Sequence, residues 1–319
     1  MIITMKPIVK FILPILFLVS CEKLVNIDIK EADNKIVLSG LICPDSTVIV
    51  QITKSHQVSS GGNGDLSSLT PKPMVVGDVR LFEDDVLLGL LVNKRGSYFE
   101  LPGFRPSPGK SYRIEAESGE MKPVSATVTV PGLIPMDSFD TTRILLDNGV
   151  EAIRVSMRIT DPLEQENYYS LKVTGTHRYY DYFRHEFTDS IVTYNYFPRL
   201  NGKVDDVLDL DFLDVNKDVY VDQELFLSDR LFEGKVFDMS FSFAADDWAM
   251  RADTTLVRID LRQVDKSYYL YAVSEQKYRQ TQGNPFVEPV QVYTNVKDGF
   301  GIFSACNGVH KEFVVIWNQ

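Results

Sequence analysis

Val124-Ser125-Ala126-Thr127-Val128-Thr129-Val130 alternates apolar and polar side chains and is stopped by Pro131-Gly132. A period of two is the signature of a strand with one buried face. The same pattern recurs upstream. Val48, Val50 and Ile52 are set against Thr47, Gln51 and Thr53, after an opening apolar run at Ile36-Val37-Leu38. Val79-Arg80-Leu81-Phe82 and Val86 to Val92 flank Glu83-Asp84-Asp85 as a hairpin. Gly96-Ser97-Tyr98 and Pro108-Gly109-Lys110-Ser111-Tyr112 each place a turn glycine ahead of a strand tyrosine. His56 to Pro73, with Gly61-Gly62-Asn63-Gly64, reads as a surface loop without phosphate-loop spacing.

Downstream, Ile153, Val155, Met157 and Ile159 alternate with Arg154, Ser156, Arg158 and Thr160. Tyr169, Leu171 and Val173 start another strand, which Gly175-Thr176 is expected to break. Phe237, Met239, Phe241 and Phe243 form one strand face, and Val257, Ile259 and Leu261 another. Tyr268, Tyr271, Ala272 and Tyr278 then fall at helical spacing, predicting a helix over 267–281. Asp265 or Ser267 caps its start; Gly283 and Pro285 end it. Val290 and Val292 begin a strand, and Phe313, Val315 and Trp317 close the sequence as another. The fold class is all-β: an immunoglobulin- or transthyretin-like sandwich over 35–132, then a larger β-sandwich-like domain with one helix over 136–319.

The first residues carry an address. Lys6 and Lys10 precede an apolar run from Phe11 to Val19, too short for a spanning helix. Leu18-Val19-Ser20-Cys21 closes it as a lipobox. Residues 1–20 then form a lipoprotein signal cut between Ser20 and Cys21, the Cys21 thiol takes the lipid, and 21–34 is a tether. The expected membrane attachment is this anchor alone.

The protein has 319 residues and a formal charge of −11, which argues against nucleic acid and against anionic lipid as partners. With Cys21 used for lipid, Cys43 and Cys306 remain. They are far apart in sequence, so two buried free thiols are the expected state, and pairing stays open. His56, His177, His185 and His310 have no metal-ligand spacing. Asp214-x-Asn216-x-Asp218, inside an acidic stretch 205–222, begins like a calcium loop. Val219 and Leu225 stand where Gly and Glu are needed, so a solvated loop is expected and no metal. Tyr179-Tyr180-Asp181-Tyr182-Phe183 and Tyr194-Asn195-Tyr196-Phe197 suit either a sheet face or a recognition surface, the sheet face being expected. No nucleophile elbow, zinc-protease, Walker or dinucleotide motif occurs. The expectation is a non-enzyme with no catalytic residues and no cofactor.

Several motifs in order carry a resemblance. They are Cys21-Glu22, Ile36-Val37-Leu38-Ser39-Gly40, Gly96-Ser97-Tyr98, Pro108 to Tyr112, Ser228-Asp229 with Gly234-Lys235, Gly283-Asn284-Pro285-Phe286, Glu288-Pro289-Val290, Tyr293 to Val296, and Gly299-Phe300-Gly301-Ile302-Phe303. The sequence resembles the Bacteroidota lipoprotein family catalogued as domain of unknown function 4249. Cys306 departs from the small residues expected beside Ala305. The resemblance implies an outer-membrane location, on a face it leaves open, and an accessory or ligand-capturing role beside a TonB-dependent, SusC-like transporter. It names no ligand. A structural or adhesive surface protein is the alternative, and a hydrolase with an unrecognised site a third.

Overall fold

The computed structural model describes residues 34–55, 75–119, 121–146, 149–163, 165–181, 186–196, 199–200, 220–221, 224–230, 232–244, 254–281, 287–288 and 290–317. In sequence order the strands begin with β1 (Ile36–Ile42), β2 (Ile49–Lys54), β3 (Val79–Glu83), β4 (Val86–Leu90), β5 (Val92–Arg95) and β6 (Tyr98–Glu100). They continue with β7 (Ser111–Ser118), β8 (Met121–Thr129), β9 (Met136–Leu145), β10 (Glu151–Thr160), β11 (Tyr168–Asp181) and β12 (Glu186–Tyr196). The last are β13 (Arg199–Leu200), β14 (Tyr220–Val221), β15 (Glu224–Ser228), β16 (Val236–Ala244), β17 (Thr254–Val264) and β18 (Phe300–Ile316). Helix α1 (Lys266–Thr281) lies between the final two. No helix among the described residues is long and apolar enough to cross a membrane. The described residues are mainly β, in several sheets and no barrel.

The described strands form three sheets. A ten-stranded sheet runs β14-β15-β11-β17-β18-β1-β2-β6-β5, with β12 also on β11. Two four-stranded sheets, β4-β3-β7-β8 and β13-β16-β10-β9, complete the set. The alternating stretches become half-buried strands. Val124, Ala126 and Val128 are buried on β8, as are Val155, Met157 and Ile159 on β10. Each small sheet encloses a core with the large one. The first core gathers Ile36, Leu38, Val50, Ile52, Leu81 and Ile114; the second gathers Val155, Met157, Tyr169, Leu171, Phe241 and Ile259. The first core is finished by residues distant in sequence. Val296, Phe303 and Ala305 belong to it, although a division at 133–135 assigns them to the later segment. The bridge is β18, which pairs in parallel with β1 through Val37↔Phe300 to Ile42↔Ala305 and antiparallel with β17 from Val264↔Cys306 to Thr254↔Ile316.

Three local expectations are corrected. The apolar run 86–92 is two strands: after the turn at Asp84 and Asp85 (φ 46° and 66°), β4 stays with β3, and buried Leu91 carries the backbone over to β5 in the other sheet. Gly175 does not break β11, which runs on to Asp181. The glycine instead makes room for the Tyr196 ring, which would collide with any Cβ there, so it marks close approach. Val290 and Val292 lie in no strand; 290–296 has no regular secondary structure.

Cys43 and Cys306 form a disulfide, with Cα atoms 5.0 Å apart, where two free thiols were expected. Residues distant in sequence become neighbours because β1 and β18 are paired, and the backbone leaving β1 passes Cys306. The pair joins Tyr168, Phe226, Val264, Tyr269 and Ala272 in a third apolar cluster, under α1 on the outer face of the large sheet.

Candidate functional site

Asp265 fixes the helix. Its carbonyl accepts the Tyr268 and Tyr269 N–H groups (3.1 and 3.3 Å), and its Oδ2 accepts the Ser267 N–H (2.9 Å), so it is the N-cap. Its Oδ1 accepts the Ala305 N–H at 2.8 Å, and its own N–H donates to the Ala305 carbonyl at 3.0 Å. One residue thus caps α1 and joins it to β18. The face turned to the sheet carries Tyr269, Ala272 and Gln276; Tyr278, expected there from spacing, is exposed. The Tyr269 ring packs on Tyr168 (centroids 4.6 Å apart), and Tyr268 meets Phe226 edge-on at 5.2 Å.

Burial pushes the Asp265 carboxyl above its ordinary value, against the hydrogen bonds from Ala305 and Ser267. The folded protein therefore holds that proton more tightly than the unfolded one. Stability from this group rises as pH falls from the raised folded value towards the unfolded one, and is constant below both. Asp265→Asn presents an amide N–H₂ to one of its two N–H donors and is expected to lose about 1–3 kcal/mol. Its deficit against the parent, from thermal melts at stepped pH, should widen towards acid.

Beyond the helix lies the pocket. Ser274 Oγ donates to the Tyr271 carbonyl (3.0 Å) and accepts the Tyr293 N–H (2.8 Å), tying the irregular segment 290–296 to α1. The cavity there has a volume of about 650 Å³. Tyr168, Tyr269, Leu270 and Val273 floor it, and Val290 to Thr294 form one wall. Charge sits at its edge, with Arg230, Lys266 and Lys277 against Glu166. Lys266 Nζ is 2.7 Å from Glu166 and lies over the Tyr168 ring. The hydrogen bond from Lys266, then that from Tyr168, holds the Glu166 carboxyl below its usual range. Burial, then Glu166, pushes the Tyr168 hydroxyl up. Ser274, engaged on both sides, acts as a brace, and none of the described residues lining the cavity is a histidine. Among the described residues no group of three or more His, Cys, Asp or Glu is placed to hold a metal. An apolar floor with a few convergent charges suits holding a ligand.

Ser20 and Cys21, the Asp214-Asn216-Asp218 stretch, Gly283 and Pro285 lie outside the described residues. So do Tyr182, Phe183 and Phe197 of the tyrosine-rich segment; Tyr196 is buried in the second core against Phe243. Several of the described motif residues are scaffold. Tyr112 Oη donates to Glu83 (2.6 Å) and accepts the Ser107 N–H (2.8 Å); burial, then Glu83, raises its pKa to about 12. Asp229 and Asp161 are both buried. Asp229 accepts the Asn167 N–H (2.5 Å), and Asp161 accepts the Gly234 N–H (2.7 Å) and the Tyr169 hydroxyl, which locks the turn from Ser228 to Lys235. Sequence reasoning missed the pocket residues. Their one signal was Tyr293 to Val296 beside a helix carrying Lys266 and Lys277.

The family model described as Domain of unknown function (DUF4249) matches residues 22–312. No curated protein matches significantly. Solved structures give faint similarity. The ACE adhesin of Enterococcus faecalis, described as binding its ligands by the collagen Hug Model, is 8% identical; the match spans 72% of this protein and 88% of that one, with a TM-score of 0.20. A Salmonella alpha-2-macroglobulin mutant is 12% identical over 92% of this protein and 16% of that one, about a sixth of its length, with a TM-score of 0.24. The collagen adhesin CNA of S. aureus is 8% identical over 88% of this protein and 94% of that one, with a TM-score of 0.20. Scores this low carry no argument about function.

Proposed function

The chain belongs to the family described as Domain of unknown function (DUF4249), and on that premise we propose that it is a non-enzymatic lipoprotein, anchored through Cys21 at the outer membrane, that captures a ligand for a TonB-dependent transporter. The cavity beside α1 carries the reading. It is concave, floored by Tyr168, Tyr269, Leu270 and Val273, and edged by Arg230, Lys266 and Lys277. The Cys43–Cys306 disulfide supports an oxidising compartment outside the cytoplasm. Several acyl groups hold where one is marginal, which fits anchoring through a lipidated Cys21.

Two measurements test it. Cys21→Ala should move the protein from the membrane to the soluble fraction with its thermal midpoint unchanged; retention on membranes in the absence of partners would rule out the anchor. Extraction of the full-length protein in mild detergent should recover an outer-membrane transporter. Repeated recovery without one would overturn the transporter role.

A further inference from the structure

β4 is an edge strand. It pairs with β3 and, among the described residues, with no other strand, so the backbone N–H and C=O groups along its outer side face no ladder. Its side chains are apolar and exposed: Val86 67%, Leu87 52%, Leu88 37% and Leu90 50%, followed by Val92 at 52% on β5. Leu88 is an extra residue, a bulge between the pairs Leu81↔Gly89 and Phe82↔Leu87. Bulges at sheet edges commonly end pairing, but this one inserts another leucine into the exposed surface. An apolar edge strand is a template for a further strand.

The other described edges are guarded. β5 carries Lys94 and Arg95, β9 carries Asp137, Asp140 and Arg143, and β12 carries Glu186 and Asp189. β8 opens with Lys122 and Pro123, and its Ser125 carbonyl accepts the Lys297 N–H at 2.8 Å. β13 and β14 have two residues each. Charge, proline, cover and shortness are the means by which proteins keep an edge unpaired. Among the described edge strands longer than these two, β4 alone has neither charge nor proline.

A lipid surface would cover the leucines but leave the edge N–H and C=O groups without hydrogen-bond partners, which hydrocarbon penalises. A strand satisfies both. β4 is its own complement, because any antiparallel register of Val-Leu-Leu-Gly-Leu on itself sets apolar residues against apolar ones. That direction also holds Asp84 and Asp85 of the two copies at opposite ends, where a parallel one would set them side by side. Pairing across a two-fold axis closes, since each copy uses up the same edge and the guarded edges offer no growth. At ordinary side-chain areas the exposed residues present about 400 Å² per copy, as large as the biggest apolar patch of many monomers. Two copies then bury about 800 Å², the size of a weak, reversible interface. We propose that the protein forms a two-fold dimer by antiparallel pairing of β4 with β4 of a second copy, Leu88 and Leu90 of each covering those of the other. This does not depend on the ligand-capture reading.

The test uses the full-length protein, in the membranes that hold it and in mild detergent. Mild oxidation should trap Leu88→Cys as a dimer on non-reducing gels, while Leu133→Cys, exposed but outside β4, should stay monomeric. Sedimentation equilibrium in detergent should show monomer and dimer with a Kd of about 10–100 µM and no larger species. Leu88→Lys with Leu90→Lys should weaken the dimer about tenfold or more. A thermal midpoint within about 2 °C of the parent at low concentration shows that this variant is folded. If Leu88→Cys cross-links no better than Leu133→Cys, or if the two lysines leave the dimer intact, the proposal is overturned. Cross-linking of Leu88→Cys to a different polypeptide overturns it in favour of another protein's strand. Protection of Leu88→Cys from a water-soluble maleimide without any cross-link overturns it in favour of lipid. Species larger than a dimer overturn the two-fold closure.

Discussion

Replacing Cys43 and Cys306 together by alanine is expected to lower the thermal midpoint by about 10 °C. The size follows from the length of polypeptide enclosed. The two cysteines are 263 residues apart, so the cross-link restrains nearly all the described residues in the unfolded state, where a loop of even about 100 residues is worth close to 5 kcal/mol. Alanine suits both positions because the sulfurs sit in an apolar cluster with Val264, Tyr269 and Ala272, and Arg262, whose Nη1 donates to Cys306 Sγ at 3.8 Å, keeps its ion pair with Asp260. Calorimetry of the double variant, and of the parent with and without reductant, checks this. Reduced parent and variant should melt together. A shift below about 2 °C would mean that the β1–β18 ladder already holds the ends without the cross-link.

Gly301→Ala is expected to cost about 4 kcal/mol or more, through left-handed strain and a backbone collision together. Gly301 has φ 96°, and a Cβ there would collide with the Leu38 carbonyl oxygen and press on the carbonyl carbon and amide nitrogen of the same residue. Backbone cannot rotate away as a side chain can, so β1 and β18 must part where they pair Leu38 with Gly301. Gly103→Ala is the control. Its φ is 72°, yet nothing lies within 4 Å of the added carbon, so only about 1–2 kcal/mol of left-handed strain is expected. Urea unfolding of both variants separates strain from collision. Equal losses would show that the close approach of the strands contributes nothing.

The part of this fold legible in the sequence is the part set by two-sided strands. Val124 to Val130 and Ile153 to Ile159 each have one wet face and one dry face, and the period writes that contrast into neighbouring residues. Where both faces are covered the contrast vanishes. Ile302 to Asn307 are buried without interruption, because one side meets the first core and the other the helix cluster, so the start of β18 left no alternation to read. Gly175 misled because glycine signals both a break and a close approach, and only the position of Tyr196 decides between them. The disulfide was hidden by the same long-range pairing that creates it. The pocket was hidden for another reason. Glu166, Arg230, Lys266 and Val290 come from four places in the sequence, and none is unusual where it stands. The glycine motif from 299 to 303, by contrast, was visible as residues, and its meaning appeared only when Gly299 and Gly301 were found against the backbone of Ile36 and Leu38.

The place of β18 also sets an order of events. The first described strand, β1, finds its parallel neighbour only when residues 300–305 exist, and the first core lacks Val296, Phe303 and Ala305 until then. A vectorially made or exported polypeptide must keep β1 and β2 open until residues 296–305 follow, with the slow, non-local closure that such contacts impose. Residues 296–305 are thus the keystone of the core that β1 and β2 begin, and a nascent polypeptide stopped before residue 296 should expose Ile36, Leu38 and Val50 to chaperones rather than present a finished first core.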